Sequence, residues 1–241
     1  MLNRLIEIAT QAGNKLLRMQ GEKLQVRQKG RGQLVTRADE ASHAIIEAEL
    51  QRSFPGVPRV MEEQDNHRLP ARPYFTVDEL DGTLPYARGM AEWAVMLAYL
   101  DKRPTHGVIY LPAWNVLIAA QAGKGCSLDQ AVVGMELNLF LTAEHRRRFV
   151  NRLSQRALST RSLACAGAAV AELLMRRTDL YVNCRGGKIW DFAPGALAVE
   201  EAGGTASRID GAPIAWRNLR MDVLLAADAH LRKQALKVSS A

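Results

Sequence analysis

Apolar positions recur first at helical spacing. Leu2, Leu5, Ile6, Ala9, Leu16 and Leu17 fall on one face of a 3.6-residue period, and Ile45, Ile46, Ala48 and Leu50 repeat it within 38–54. Two helices are therefore predicted near the N-terminus. A β-prone run, Phe75-Thr76-Val77, then ends in carboxylates and glycine, Asp78-Glu79-Leu80-Asp81-Gly82. An Asp-Gly turn after a strand is ordinary hairpin chemistry, but the next apolar run, Ala91 to Leu100, starts too late for a two-residue hairpin. Between Trp93 and Ala120, apolar runs at 95–100, 107–111 and 116–120 are separated by Asp101-Lys102-Arg103-Pro104 and Pro112-Ala113-Trp114-Asn115. These turn residues predict an antiparallel meander. Beyond it, the pattern predicts helices over 142–161 and 168–177, a strand over 179–183, and a helix over 193–202 stopped by Gly203-Gly204. The sequence holds no internal repeat and no low-complexity linker.

Composition narrows the class. A chain of 241 residues, 48% apolar and 24% charged, can bury a sizeable core as one domain or two packed lobes. No apolar run approaches the roughly 18–20 residues of a membrane span. Met1 to Glu7 reads as a helix interrupted by charge, so a cytoplasmic protein with no membrane partner is expected. Cys126, Cys165 and Cys184 are odd in number and widely spaced, which argues against a disulfide framework or a zinc site and reads as reduced packing residues. The five histidines form no pair at metal-ligand spacing, and neither a Gly-x-Ser-x-Gly elbow nor a Walker loop is present. Gly123-Lys124-Gly125 reads as a turn between short strands rather than a phosphate cradle.

The chemistry lies in the acids. Glu62-Glu63, Asp78 with Asp81, and Asp191 sit in three separate segments. Carboxylates are hard oxygen ligands suited to Mg²⁺, and two such ions about 3.5–4 Å apart clamp the attacking and leaving oxygens of a phosphoryl displacement. Asp78 is the natural bridge. Against this stands the fact that Asp and Glu are mostly solvated surface residues, and Glu62-Glu63 alone would carry nothing.

Two motifs add a family resemblance. Asp78-Glu79-Leu80-Asp81-Gly82-Thr83 resembles the Asp-Pro-x-Asp-Gly-Thr signature of the inositol monophosphatase family, and Trp190-Asp191-Phe192-Ala193-Pro194-Gly195 resembles its Trp-Asp-x-Ala-x-Gly signature. Leu34 to Asp39, Met61-Glu62-Glu63, Gly107 to Tyr110 and Glu201 to Gly204 match in the same order. The resemblance implies an α/β (α+β) protein with the layered αβαβα sugar-phosphatase fold, forming a single domain over 1–241. A first lobe, about 1–140, would hold the meander and the metal and phosphate site. A smaller second lobe, 141–241, would carry Asp191. It also implies a homodimer and a Mg²⁺-dependent, Li⁺-sensitive phosphomonoesterase using two or more Mg²⁺ ions.

Residue by residue, the resemblance implies one ion on Glu62, Asp78 and the Leu80 carbonyl, and a second on Asp78, Asp81 and Asp191. Glu62 and Thr83 would orient the attacking water, with Asp39 supporting Thr83. Gly82 and Thr83, opening a helix, would receive the phosphate. Gly167, Ala168, Asn183, Arg185 and Asp191 would line the substrate side. Plainer readings stand beside these. Thr36-x-x-Asp39 also fits a capping arrangement, Asp191 ahead of Pro194 an N-cap, and Thr83 a cap hydroxyl. Glu63 reads as solvated or as support for a ligand, and Arg185 as a solvated turn residue.

The departures bear on the substrate. Glu79 stands where the family carries proline, adding negative charge beside the metals, and Met61 and Leu84 replace the usual glycine and asparagine. Inositol monophosphate leads as the small phosphorylated metabolite. The alternative is a 3′(2′),5′-bisphosphate nucleotide or a sugar bisphosphate, since Arg185 could fork onto a second phosphate. A net charge of +7 and the arginines at 146–148, 152, 156 and 161 keep open a third reading, a catalytically weak RNA- or protein-binding module. Phe149 is the one interleaved aromatic, so a nucleic-acid partner is not favoured.

Overall fold

The computed structural model describes residues 1–21, 27–30, 33–64, 68–71, 73–122, 134–136, 144–157 and 159–239. The first apolar stripe folds as α1 (Leu2–Met19), which buries Leu5, Ile8, Ala9, Ala12 and Leu16. A small hairpin of β1 (Arg27–Gly30) and β2 (Gln33–Val35) leads into α2 (Arg37–Ser53). At the start of α2 the Thr36 hydroxyl accepts the Ala38 N–H at 3.1 Å, and the Asp39 carboxylate accepts the Thr36 N–H at 2.7 Å. The capping reading of Thr36 and Asp39 is thus realised.

A five-stranded sheet follows: β3 (Arg59–Met61), β4 (Tyr74–Asp81), β5 (Ala94–Asp101), β6 (Arg103–Leu111) and β7 (Val116–Gln121), hydrogen-bonded in that order. Between β4 and β5 lies the short α3 (Thr83–Ala87). β3 runs parallel to β4, and every other neighbouring pair is antiparallel, so β5, β6 and β7 form the predicted meander. Because helices cover both faces, β4 is buried from Tyr74 through Leu80. Its side chains still alternate. Phe75 and Val77 pack with Leu5, Ile46 and Leu50 of α1 and α2, whereas Tyr74 joins Met96 and Ile109 in the core on the opposite face.

The alternation breaks once. Asp78 pairs with Met96 and Asp81 with Ala94, so three steps along β4 oppose two along β5. The extra residue is a bulge, and it turns Asp78 and Asp81 to the same side, which a regular strand would not do.

The second half builds outward from there. β8 (Gly134–Glu136), α4 (Glu144–Arg156), α5 (Ala166–Leu174), β9 (Leu180–Lys188), α6 (Ile189–Glu201), β10 (Thr205–Ser207), β11 (Arg220–Ala226) and α7 (Ala229–Ser239) follow in turn. The strands form a four-stranded sheet in the order β10-β11-β9-β8. Tyr181 and Leu225 face α5 and α6, while Val182 and Leu224 meet Phe149 and Leu153 of α4 and Ala235 of α7. The layers are therefore α1/α2, the five-stranded sheet, α5/α6, the four-stranded sheet and α4/α7, the expected αβαβα arrangement. Helix α6 is pressed between the sheets. A Cβ on Gly107 of β6 would come 2.8 Å from the Pro194 Cα of α6, so only glycine permits this approach.

Some boundaries differ from the pattern. β9 continues to Lys188, past the predicted end at 183, because a register shift against β11 and a positive φ of 71° at Gly186 carry the strand through its glycines. α6 starts at Ile189 rather than 193, which puts Asp191 inside the first turn and not at the N-cap. Among the described residues, no helix is long and apolar enough to cross a membrane. The Gly123-Lys124-Gly125 turn and Cys126 lie outside the described residues.

Candidate metal and phosphate site

The ends of β3 and β4 meet the starts of α3, α5 and α6. Glu62 leaves β3 with its N–H bonded to the Val77 carbonyl at 3.1 Å. Asp78 is only 2% exposed, and its Oδ1 accepts the Leu80 N–H at 3.1 Å. Asp191 lies in the first turn of α6, where its Oδ2 accepts the Lys188 N–H at 2.6 Å. Glu62, Asp78 and Asp191 each place a carboxylate oxygen within 4.8 Å of the others. Residues more than a hundred positions apart are thus brought to one point. Asp81 sits beside them, its Oδ2 accepting the Gly167 N–H at 2.6 Å and the Cys165 thiol at 3.1 Å.

The electrostatics are those of acids forced together. Burial pushes the Asp78 carboxyl well above the ordinary carboxylate range, and repulsion from Glu62, Asp81 and Asp191 adds to it. Asp191 is raised well above its usual value in the same way, by burial and then by Glu62 and Asp81. Asp81 is raised by burial against the bonds from Gly167 and Cys165. Crowded hard oxygen donors that hold one another's protons on suit a divalent cation, which would replace those protons. The donor set therefore fits Mg²⁺.

Two donors already reach Glu62. The Lys188 ammonium lies 3.2 Å from its Oε1 and 4.7 Å from the centroid of the Trp190 ring, and the Trp190 indole N–H donates to Oε2 at 3.2 Å.

Thr83 opens α3 behind Gly82, whose φ is 87° and whose Cβ, if present, would strike the Glu92 carbonyl oxygen at 2.6 Å. Only glycine fits that corner. The Thr83 hydroxyl lies 3.2 Å from both Asp39 Oδ1 and the Leu80 carbonyl oxygen, and its single proton serves one of them at a time. Burial pushes the Asp39 carboxyl up to about 7 despite the bonds from Thr36. Asp39 is therefore both a cap and a partner of Thr83.

The remaining predicted residues lie on the second half. The Ala168 N–H donates to Cys165 Sγ at 3.2 Å, so Cys165, expected as packing, caps α5 and touches Asp81. Asn183 is 3% exposed and donates to the Tyr181 hydroxyl at 3.1 Å. The Arg185 side chain lies outside the described residues. Glu79 is wholly buried and leaves the opposite face of β4, 2.6 Å from His43 Nδ1, and from there its charge still adds to the repulsion on Asp78. Its carboxyl is raised by burial and held down by His43, whose own imidazole is raised by the hydrogen bond to Glu79. Strand alternation was the signal for Glu79. No local signal pointed to Lys188 or Cys165.

On the far side, α4 buries Phe149, Val150 and Leu153 and exposes Arg147, Arg148, Arg152 and Arg156. Arg146 is paired with Asp222 at 2.7 Å.

Comparison with known proteins places this arrangement. Residues 1–240 match the inositol monophosphatase family. A protein named Nus factor SuhB from Xylella fastidiosa is 33% identical over 232 residues, covering 88% of this chain and 82% of that one. An inositol-1-monophosphatase from Mesorhizobium japonicum is 32% identical over 238 residues, covering 88% and 86%. The crystal structure of the extragenic suppressor protein suhB from Bartonella henselae superposes with a TM-score of 0.87 at 26% identity, over 98% of this chain and 97% of that one.

Proposed function

Given that the chain belongs to the inositol monophosphatase family, we propose that it is a Mg²⁺-dependent phosphomonoesterase of a small phosphorylated metabolite, with inositol monophosphate the leading substrate. One observation carries this reading: Glu62, Asp78 and Asp191 converge within 4.8 Å from three distant segments. Glu62, Asp78 and the Leu80 carbonyl would hold one ion, and Asp78, Asp81 and Asp191 a second. Bound Mg²⁺ supplies a more acidic water and positive charge against the phosphoryl and leaving oxygens.

The protein's own part is positioning. Glu62 and Thr83 would orient the attacking water, and the Glu62 carboxylate would take up its proton. An ionised Asp39 receives the Thr83 hydroxyl proton in a hydrogen bond, which turns the oxygen's lone pairs toward the water. Gly82 and Thr83 receive the phosphate, and the substrate side is assigned to Gly167, Ala168, Asn183, Arg185 and Asp191. The name of the Mesorhizobium relative supports inositol monophosphate. A 3′(2′),5′-bisphosphate nucleotide or sugar bisphosphate is the alternative. A homodimer belongs to the same proposal.

A hydrolysis screen over inositol phosphates, sugar bisphosphates and adenosine bisphosphates, with and without Mg²⁺ and Li⁺, tests the reading. Turnover should require Mg²⁺ and fall with Li⁺. Full turnover in excess chelator would rule the mechanism out.

A second reading, binding of RNA or protein, draws on the four exposed arginines of α4 and on the name of the Xylella relative. RNA affinity that falls steeply with salt, and falls again when Arg148, Arg152 and Arg156 become alanine, would support it.

A further inference from the structure

Glu79 follows the proposed bridging ligand directly, yet it does not face the acids. Its Oε2 lies 3.1 Å from the backbone nitrogen of Glu62, and its Oε1 lies 3.4 Å from that of Glu63 and 2.6 Å from His43 Nδ1 on α2. The carboxylate accepts from all three. Its side chain is 0% exposed, so these bonds are shielded from competing water. The segment it holds needs a tether: β3 is a three-residue strand at the edge of its sheet, and Glu62 is the first residue beyond it. The Glu62 N–H is shared between Glu79 and the Val77 carbonyl, 3.1 Å from each, so the main chain under the ligand is pinned to β4 twice.

We infer that Glu79, held by His43, is a positioning residue that fixes the Glu62–Glu63 main chain and so aims the Glu62 carboxylate at Asp78 and Asp191. The inference rests on the metal-site reading above. At this position the family signature carries proline, which cannot accept such bonds, so the tether is a device of this chain's own sequence. Groups that orient metal ligands from behind typically cost 10–100-fold in metal affinity or activity when removed.

The test uses the full chain and Mg²⁺ itself. Calorimetric titration without substrate gives Mg²⁺ affinity, and turnover of inositol 1-phosphate gives kcat and KM at saturating Mg²⁺. Glu79→Ala should weaken Mg²⁺ binding about tenfold and lower kcat, while KM changes less than about twofold, as expected for loss of aim rather than of substrate contact. Glu79→Gln keeps an acceptor oxygen and should recover part of the loss. His43→Ala, at a half-exposed site on α2, should lose less than Glu79→Ala in the same direction.

A folded Glu79→Ala protein with wild-type Mg²⁺ affinity and kcat, or one that loses only thermal stability, overturns the inference. Should Glu79→Ala not fold, wild-type Mg²⁺ affinity in both Glu79→Gln and His43→Ala overturns it as well. A wild-type chain that binds no Mg²⁺ overturns the phosphatase reading and this inference together, whereas wild-type binding left unchanged by the variants overturns this one alone.

Discussion

The two sides of β4 make different demands on neighbouring residues. Toward α6 the strand presents Asp78 and, through its bulge, Asp81, acids whose repulsion is left standing. Toward α2 it presents Phe75, Val77 and Glu79, with the apolar pair in a close core and the acid given three donors. One side crowds acids where a cation would bind, and on the other the buried acid is held by hydrogen bonds. Near the acids, Phe75 and Val77 should therefore contribute stability and Asp78 and Asp81 function, while the larger apolar core of the protein lies between the two sheets.

Asp78→Asn tests that division most severely. Asparagine keeps the shape but removes the charge assigned to both ions, so kcat should fall by about 10³ or more, above roughly 4 kcal/mol of barrier. Melting of the Mg²⁺-free protein should hold or rise, since repulsion from Glu62, Asp81 and Asp191 is relieved. Near-normal turnover in a folded variant would end the metal assignment.

Asp39 crosses the division, being buried at the start of α2 while touching Thr83. Its carboxyl is raised from 3.8 to about 7. The folded state therefore holds a proton that the unfolded chain has released, so the associated stability is present below about pH 4 and is lost as pH rises to about 7. Denaturant unfolding of Mg²⁺-free wild type and Asp39→Asn at pH 5 and pH 8 should show wild type losing about 3 kcal/mol more over that interval. Parallel pH profiles would show that Asp39 stays ionised throughout.

Val77→Ala gives the smallest effect and the cleanest control. Val77 is 0% exposed beside Asp78 but on the α2 side. Losing its methyl groups should cost about 2 kcal/mol of stability, with kcat of the folded fraction within about twofold of wild type. A large drop in kcat without a drop in stability would show that the two sides are not separable.

How much of this was visible beforehand depends on whether a signal was local. The helices of Leu2–Met19 and Arg37–Ser53 and the meander showed in periodicity and turn residues alone. The layered fold and the grouping of Glu62, Asp78, Asp81 and Asp191 came from the resemblance, because spacing along the chain does not say which distant acids meet. The alternation of the strand puts the Glu79 side chain on the α2 side, and its charge nevertheless reaches Asp78 as the sequence suggests. Lys188 and Cys165 were missed because their partners, Glu62 and Asp81, lie 126 and 84 positions away, and proximity of that kind is created only by folding.

The contact between Gly107 and Pro194 gives the protein a mechanical tolerance. Asp191 and Pro194 ride on the same short helix, so anything that lifts that helix off the first sheet also moves a carboxylate. With 2.8 Å from a would-be Cβ to the Pro194 Cα, the gap admits a hydrogen but not a methyl. Gly107 thus works as a shim of fixed thickness. A residue that touches nothing reactive bears on how far apart the two halves of the acidic cluster stand, and thickening it should detune the site by shifting Asp191 without replacing any proposed ligand.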